Sequence, residues 1–174
     1  MRFGLFCADV RILPGRQEGH GVLKEILAAF RQARIGGNPG KLKPGFSSMQ
    51  EVSEIMGKPA MEWQDADGSL TWEYPRTPQG RVNYMVDFGP DKVLREVRQV
   101  LTEENFARVK AGMSKPDIRR LLGQPAHELY FSRKKEQVWD WKISADGGMD
   151  QYFNVHFNDD GAVVRTSSNF DAKG

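Results

Sequence analysis

Two segments of the chain place apolar residues three and four positions apart. The first is GFSSMQEVSEIMGKPA, residues 45–60, and the second is GMSKPDIRRLLGQPA, residues 112–126. Residues at these spacings lie on one side of an α-helix. We therefore expect two short amphipathic helices, whose apolar positions are Val52, Ile55 and Met56 in the first and Ile118, Leu121 and Leu122 in the second.

Start and stop signals flank both predicted helices. A serine precedes each helix, and its hydroxyl can accept a hydrogen bond from the free N–H groups of the first turn. A glycine follows each helix as a left-handed residue, and a proline two positions later prevents its continuation. The predicted structural caps are Ser48, Gly57 and Pro59 in the first segment and Ser114, Gly123 and Pro125 in the second.

After each helix the apolar period changes from 3.6 residues to two. Strict alternation predicts half-buried antiparallel strands. We expect Trp72 and Trp139 to lie in the core, between sheet and helices. The alternating apolar positions are Leu70, Trp72 and Tyr74, then Tyr84, Val86 and Phe88, and later Trp139 and Trp141, then Phe153, Val155 and Phe157.

The same order of elements occurs twice, at an offset of about 66 to 70 residues. A sustained self-match indicates a duplicated unit. We predict an α+β fold of two tandem units, each with two helices packed on a three- or four-stranded antiparallel sheet. The expected divisions are an N-terminal segment over residues 1–40 with a possible helix at 22–35, a first repeat at 41–100 and a second repeat at 101–174.

Composition and charge exclude several classes of protein. The 174 residues are 39% hydrophobic and 28% charged with a net charge of +2, as expected for a globular chain, and this balance gives no indication of nucleic-acid binding. No stretch reaches the roughly 18 apolar residues of a membrane span. Cys7 is the single cysteine, and the three histidines are far apart in sequence, so neither a disulfide nor a zinc site is predicted.

No arrangement of residues predicts catalysis. The sequence has no Gly-x-Ser-x-Gly motif, and no histidine has an evident partner along the chain. The aspartates in DADG and NDDG lack the regular ligand spacing and the closing glutamate of a calcium loop, and indicate turns instead. We expect no catalytic residues, no bound metal and no cofactor.

The stretch LTEENFARVKAGMSKPDIRRLLGQP, residues 101–125, resembles the start of the BamE (SmpA/OmlA) lipoprotein family. Leu-Thr, Gly-Met-Ser and Leu-Gly-x-Pro match the family pattern, and the Trp-x-Trp strand and the apolar strand ending in Phe157 follow. The resemblance covers residues 101–168 well and 43–98 in degenerate form. It implies a non-catalytic assembly factor or scaffold at the periplasmic face of the outer membrane, whose partners belong to the β-barrel insertion machinery.

The chain departs from that family in its duplication and in its N-terminus. A lipoprotein carries an acylated cysteine after a signal peptide, yet only six residues precede Cys7 and Phe6 is not small. We therefore predict no working export signal in MRFGLFC. The alternative function is that of a secreted inhibitor, similar to the tandem β-lactamase inhibitory proteins. Such an inhibitor needs an exposed aromatic sheet face, so burial of Trp141 and Tyr74 would argue against it.

The candidate binding surface is the segment YFSRKKEQVWDW, residues 130–141. Aromatic residues beside basic ones are typical of protein hot spots and of anionic lipid surfaces. The other interpretation is a solvated hairpin whose lysines discourage sheet-to-sheet pairing. The expected partner- or lipid-binding residues, with the first two placed in a loop, are Tyr130, Phe131, Arg133, Lys134, Lys135, Trp139 and Trp141.

Overall fold

A computed structural model of the chain describes residues 37–146 and 149–172. The helix expected at 22–35, Cys7 and most of the N-terminal segment lie outside these residues.

The chain forms two four-stranded antiparallel sheets, each preceded by short helices, which confirms the predicted α+β class. Within each sheet the strands follow chain order. The first sheet follows a 3-10 turn at Pro39–Lys41 and helix α1 at Met49–Met56, and comprises β1 Met61–Gln64, β2 Leu70–Pro75, β3 Asn83–Phe88 and β4 Leu94–Gln99. The second follows helices α2 at Glu103–Arg108 and α3 at Lys115–Leu122, and comprises β5 His127–Phe131, β6 Glu136–Asp146, β7 Met149–Phe157 and β8 Val163–Ala172.

Helices α1 and α3 begin with the same reciprocal hydrogen bonds. The Ser48 hydroxyl accepts from the Glu51 N–H at 3.2 Å, and the Glu51 carboxylate accepts from the Ser48 N–H at 3.0 Å. Ser114 and Asp117 form the equivalent pair at the start of α3. These capping boxes satisfy N–H groups that have no partner within the helix. The Ser114 hydroxyl also donates to the Asp117 carboxylate, and the hydrogen bonds from Ser114 lower the pKa of Asp117.

The two terminal glycines differ from the expected left-handed helical conformation. Gly57 has φ 84° and ψ −163°, and Gly123 has φ 73° and ψ −165°. Positive φ combined with extended ψ is a region that only glycine adopts at low cost. The prolines two residues beyond, Pro59 and Pro125, lie in the connection to the next strand, so the chain turns directly from helix to sheet.

Each sheet buries its own apolar face against its own helices, with the tryptophans in matching places. Trp72 packs edge-on against Phe88 with 4.9 Å between ring centroids, and Trp139 packs in the same way against Phe157, also at 4.9 Å. Trp141 is fully buried and donates its indole N–H to the Gly123 carbonyl at 3.1 Å.

Tyr74 takes the place of Trp141 in the first unit. It is also fully buried, and its hydroxyl donates to the Gly57 carbonyl at 3.0 Å. In both units, therefore, an aromatic side chain from the second strand binds the carbonyl of the glycine that ends the helix.

The first strand of each sheet was not predicted. β1 and β5 are edge strands, and all five residues of β5 are exposed. Alternation of apolar and polar residues marks a strand only when one face is buried. The sequence HELYF of β5 carries no such alternation, so the placement of Tyr130 and Phe131 in a loop is wrong. The sequence MEWQ of β1 does alternate, but over only four residues, the shortest run that indicates a strand.

The outer face of the first sheet contacts the end of α3. The Glu73 side chain is fully buried there and accepts hydrogen bonds from Arg119 Nε at 2.9 Å and from the Gln124 N–H at 2.5 Å. Asn83, also buried, donates to the carbonyls of Leu122 at 2.8 Å and Gln124 at 2.9 Å. The two units are thus joined by polar groups of the first sheet that bind the C-terminus of a helix of the second.

Candidate docking surface

The β5–β6 hairpin presents an exposed group of large apolar side chains. β5 pairs with β6 in antiparallel register, from His127 opposite Asp140 to Phe131 opposite Glu136. The exposed fractions of Leu129, Tyr130 and Phe131 are 49%, 61% and 46%. Consecutive exposed apolar residues on an edge strand are unusual in a soluble chain and indicate an interaction site.

A basic turn connects the two strands. The Lys134 N–H donates to the Phe131 carbonyl at 3.0 Å, and Lys135 has a positive φ of 48°. The side chains of Arg133, Lys134 and Lys135 are exposed. Three positive charges therefore lie next to the apolar side chains of β5, as the sequence predicted.

Neighbouring residues of β5 lie on opposite faces of the sheet, because side chains alternate along a strand. Leu129 and Phe131 border a depression of about 260 Å³ on the face away from the helices. Tyr130 lies on the helix-bearing face, where its hydroxyl donates to Asp159 at 3.2 Å, and this bond raises the pKa of Tyr130. The aromatic pair proposed as one patch is thus divided by the strand.

Two residues assigned to the surface from the sequence are part of the core. Trp141 is fully buried and Trp139 is 8% exposed. They lie two residues apart on β6, so both face the helices. The prediction that they bind a partner or lipid is wrong. The predicted surface residues that remain are Tyr130, Phe131, Arg133, Lys134 and Lys135.

A polar network on the face away from the helices was missed by the sequence analysis. His156 Nδ1 contacts the Glu136 carboxylate, and its Nε2 lies 2.8 Å from the Ser167 hydroxyl. The bond from His156 is the main cause that lowers the pKa of Glu136, and Arg165 adds a second one at 2.8 Å. These residues come from three strands, and the hydrogen-bonded pairs are 11 to 29 positions apart, so their sequence spacing contained no signal.

Hydroxyl, imidazole and carboxylate stand here in the order of an activated serine nucleophile. The Asn154 amide also donates to the Ser167 hydroxyl, at 3.3 Å, and to Asn169 at 2.7 Å. Asn154 and His156 are buried, and buried polar groups require partners of this kind. The network therefore has a structural explanation that needs no reaction.

A groove of about 380 Å³ lies between the first sheet and α3. Two arginines border it, and each already contacts a carboxylate: Arg98 lies 2.6 Å from Asp87, and Arg120 lies 2.8 Å from Asp65. Paired charges attract an anion weakly, so this groove is a poorer candidate than the basic hairpin. Over residues 37–146 and 149–172, no three His, Cys, Asp or Glu side chains come together as metal ligands.

None of the helices within the described ranges is both long and apolar enough to cross a bilayer.

Comparisons with known proteins give one informative match. No curated protein matches the chain. The chain is similar to a solved DUF4309 family protein, YjgB, from Bacillus subtilis subsp. subtilis str. 168, with 16% identity, a TM-score of 0.29, and coverage of 76% of this chain and 82% of that chain. A solved extracellular protein containing a SCP domain from Bacillus anthracis str. Ames has 9% identity, a TM-score of 0.29, and coverage of 81% and 52%. TM-scores this low carry no argument about this chain.

The informative match is to a family model. It spans α2, α3, β5, β6, β7 and the first half of β8, and so includes the exposed hairpin. Residues 99–167 match the outer membrane protein assembly factor BamE domain.

Proposed function

We propose that this chain is a non-catalytic assembly factor or scaffold that works with the outer membrane β-barrel insertion machinery. The observation that carries the proposal is the exposed apolar and basic β5–β6 hairpin, which lies inside the segment that matches the BamE domain. In the proposed role, the hairpin docks on a protein component of that machinery. An anionic lipid surface is the second target of the same charges.

In the proposed docking, the apolar and the basic side chains of the hairpin contribute differently to binding. Leu129, Tyr130 and Phe131 supply apolar area that binding would bury, and such residues carry most of the affinity at protein interfaces. Arg133, Lys134 and Lys135 supply a long-range attraction that salt screens. A docking surface of this kind needs no reaction chemistry and no cofactor.

Burial of the core aromatics argues against the inhibitor alternative. A clamp of the tandem inhibitory type uses an exposed aromatic sheet face. Tyr74 and Trp141, the residues on which that interpretation depended, have no exposed surface. Both hold the carbonyl of a helix-ending glycine and are not available to a partner.

We also propose that the two units arose by tandem duplication. Three matched features support this: the capping boxes at Ser48 and Ser114, the edge-on tryptophan–phenylalanine pairs, and the bond from Tyr74 or Trp141 to a glycine carbonyl. The proposed location is the periplasmic face of the outer membrane, which follows from the family of the matched domain.

The test of the proposed function is a charge reversal in the turn. We expect the triple variant Arg133→Glu, Lys134→Glu and Lys135→Glu to lose binding to solubilised β-barrel assembly components, more strongly at low salt. Near an anionic bilayer each basic residue contributes about 1 kcal/mol, so binding to vesicles containing phosphatidylglycerol should fall by roughly 100-fold or more.

The matched control changes the same number of charges elsewhere. Lys41, Lys43 and Lys58 are exposed lysines of the first unit, and their replacement by glutamate alters the net charge equally. Binding should survive in this control. If both triple variants bind as the wild type does, the hairpin is not the docking surface; if both lose binding equally, only net charge matters and the proposal fails.

A further inference from the structure

We propose that the outer edge of β5 is a strand-addition site for an extended, acidic segment of a partner protein, which would become the fifth strand of the second sheet. This inference rests on the proposed function, because it specifies how the β5–β6 hairpin docks.

The first argument is the backbone of β5. It pairs with β6 on one side, and among the described strands none pairs with its other side. In an antiparallel edge strand, alternate residues direct their N–H and C=O groups outward, where an added strand can bind them. Natural edge strands are commonly protected by a lysine or a proline, and HELYF contains neither.

The second argument is the contrast with β1, the corresponding edge strand of the first unit. Arg120 of α3 lies over the ring of Trp63, 5.9 Å from its centroid, and binds Asp65 immediately after the strand. One unit thus covers part of the edge strand of the other. The remaining two edge strands differ from β5 in chemistry, since β4 carries charged residues and β8 is rich in serine, threonine and asparagine.

The third argument concerns the side chains that would flank an added strand. Leu129 and Phe131 lie on one face of the sheet, and Tyr130 lies on the other. An incoming strand would therefore find an apolar cross-strand neighbour on both of its faces. At the turn end it would meet Arg133, Lys134 and Lys135, so acidic residues are expected at that end of the segment and apolar residues at its centre.

The same geometry disfavours a bilayer and a second copy of this chain as the occupant of the β5 edge. A bilayer contacts a protein from one side, and it would leave the outward N–H groups of β5 without hydrogen-bond partners in an apolar medium. A second copy pairing antiparallel through β5 would set three cations against one acid, Glu128, at each end. An acidic peptide satisfies both the backbone groups and the charges.

The experiment uses the full chain and two synthetic decapeptides. Both peptides carry an alternating valine–threonine–tyrosine centre; one has three aspartates at one end, and the other has three lysines there. We expect the aspartate peptide to slow amide hydrogen exchange in β5. Exchange in β8, the opposite edge strand of the same sheet, should stay unchanged and serves as the internal control. The lysine peptide should bind at least 10-fold more weakly, and 0.5 M salt should reduce the difference.

Two matched double variants test the side-chain contribution. Leu129→Ser with Phe131→Ser should weaken binding of the aspartate peptide at least 10-fold. Val164→Ser with Phe170→Ser removes exposed apolar residues of the other edge, which are 47% and 61% exposed, and should leave binding unchanged. Circular dichroism confirms that both variants are folded before binding is compared.

Several outcomes would overturn strand addition. One is that millimolar aspartate peptide does not slow amide exchange in β5, and another is that both peptides bind equally. A third is that exchange in β5 slows as the protein concentration rises without peptide, which would indicate pairing between two copies of the chain. The two proposals can fail separately. If glutamate at positions 133, 134 and 135 abolishes binding to assembly components, but the aspartate peptide does not slow amide exchange in β5 of the wild type, the proposed function stands and only strand addition fails.

Discussion

Gly57 and Gly123 have nearly the same backbone conformation but different surroundings. Comparing them distinguishes the cost of backbone strain from the cost of a steric clash at a single residue. A Cβ built on Gly57 meets nothing within 4 Å, whereas a Cβ on Gly123 lies 2.8 Å from Asn83 Nδ2. Asn83 cannot move freely, because it is buried and holds the carbonyls of Leu122 and Gln124.

We therefore expect Gly57→Ala to cost about 1–3 kcal/mol, the usual cost of an alanine in this φ/ψ region. Gly123→Ala should cost about 1–3 kcal/mol more, because the added methyl group collides with a fixed side chain. Urea denaturation of the two variants measures the difference. Equal losses would show that Asn83 gives way without cost.

The residues whose positions could be predicted from the sequence are those determined by interactions with their near neighbours along the chain. Ser48 and Ser114 are identified by the few residues after them, and Trp72 and Trp139 by alternation along one strand. Glu73 and His156 could not be predicted, since their partners lie on other strands or in the other unit. The same alternation, applied to β6, places Trp139 and Trp141 on one buried face and contradicts their assignment to the surface.

At the scale of elements, predictions succeeded where burial imposes a pattern. The amphipathic helices and the central strands were found because each has one face in the core. β5 was missed because a strand exposed on both faces has no apolar period. β1 was missed because its alternation extends over only four residues. The exposure that removes the apolar period of β5 also leaves this strand accessible to the partner that we propose.

The junction between each helix and its sheet gives an element-scale prediction. Tyr74 reaches from β2 to the carbonyl that ends α1. Tyr74→Phe removes only the hydroxyl and leaves the Gly57 carbonyl without that donor, so we expect a loss of about 1–2 kcal/mol. Tyr130→Phe, which removes an exposed hydrogen bond to Asp159, should leave the free energy of unfolding almost unchanged. Thermal or urea denaturation compares the two, and equal effects would contradict the proposed role of Tyr74.

At the scale of the whole molecule, the contact between the two units depends on a buried carboxylate. Glu73 of the first sheet binds Arg119 and the Gln124 N–H of the second unit. Burial raises the pKa of Glu73, and the bonds from Arg119 and Gln124 oppose this shift only in part. The junction therefore couples proton binding at one residue to the association of the two units.

The sign of the pH effect follows from that direction. Because the pKa of Glu73 is higher in the folded chain than in the unfolded one, its contribution to stability is complete below the unfolded value of about 4.5 and is lost as the pH rises through the folded value. Glu73→Gln carries no titrating proton, so its free energy of unfolding should lack this decline. Carboxyls whose pKa is lowered, such as Asp117 and Glu136, are common to both proteins and cancel in the comparison.

The measurement is urea denaturation of wild type and Glu73→Gln at intervals between about pH 4 and pH 8. We expect wild type to lose stability relative to the variant as the pH rises. Glu62→Gln, which removes an exposed carboxyl from the adjacent strand β1, should follow the wild-type profile. Parallel profiles for wild type and Glu73→Gln would mean that Arg119 and Gln124 compensate the buried charge fully, and that the junction between the units is insensitive to pH.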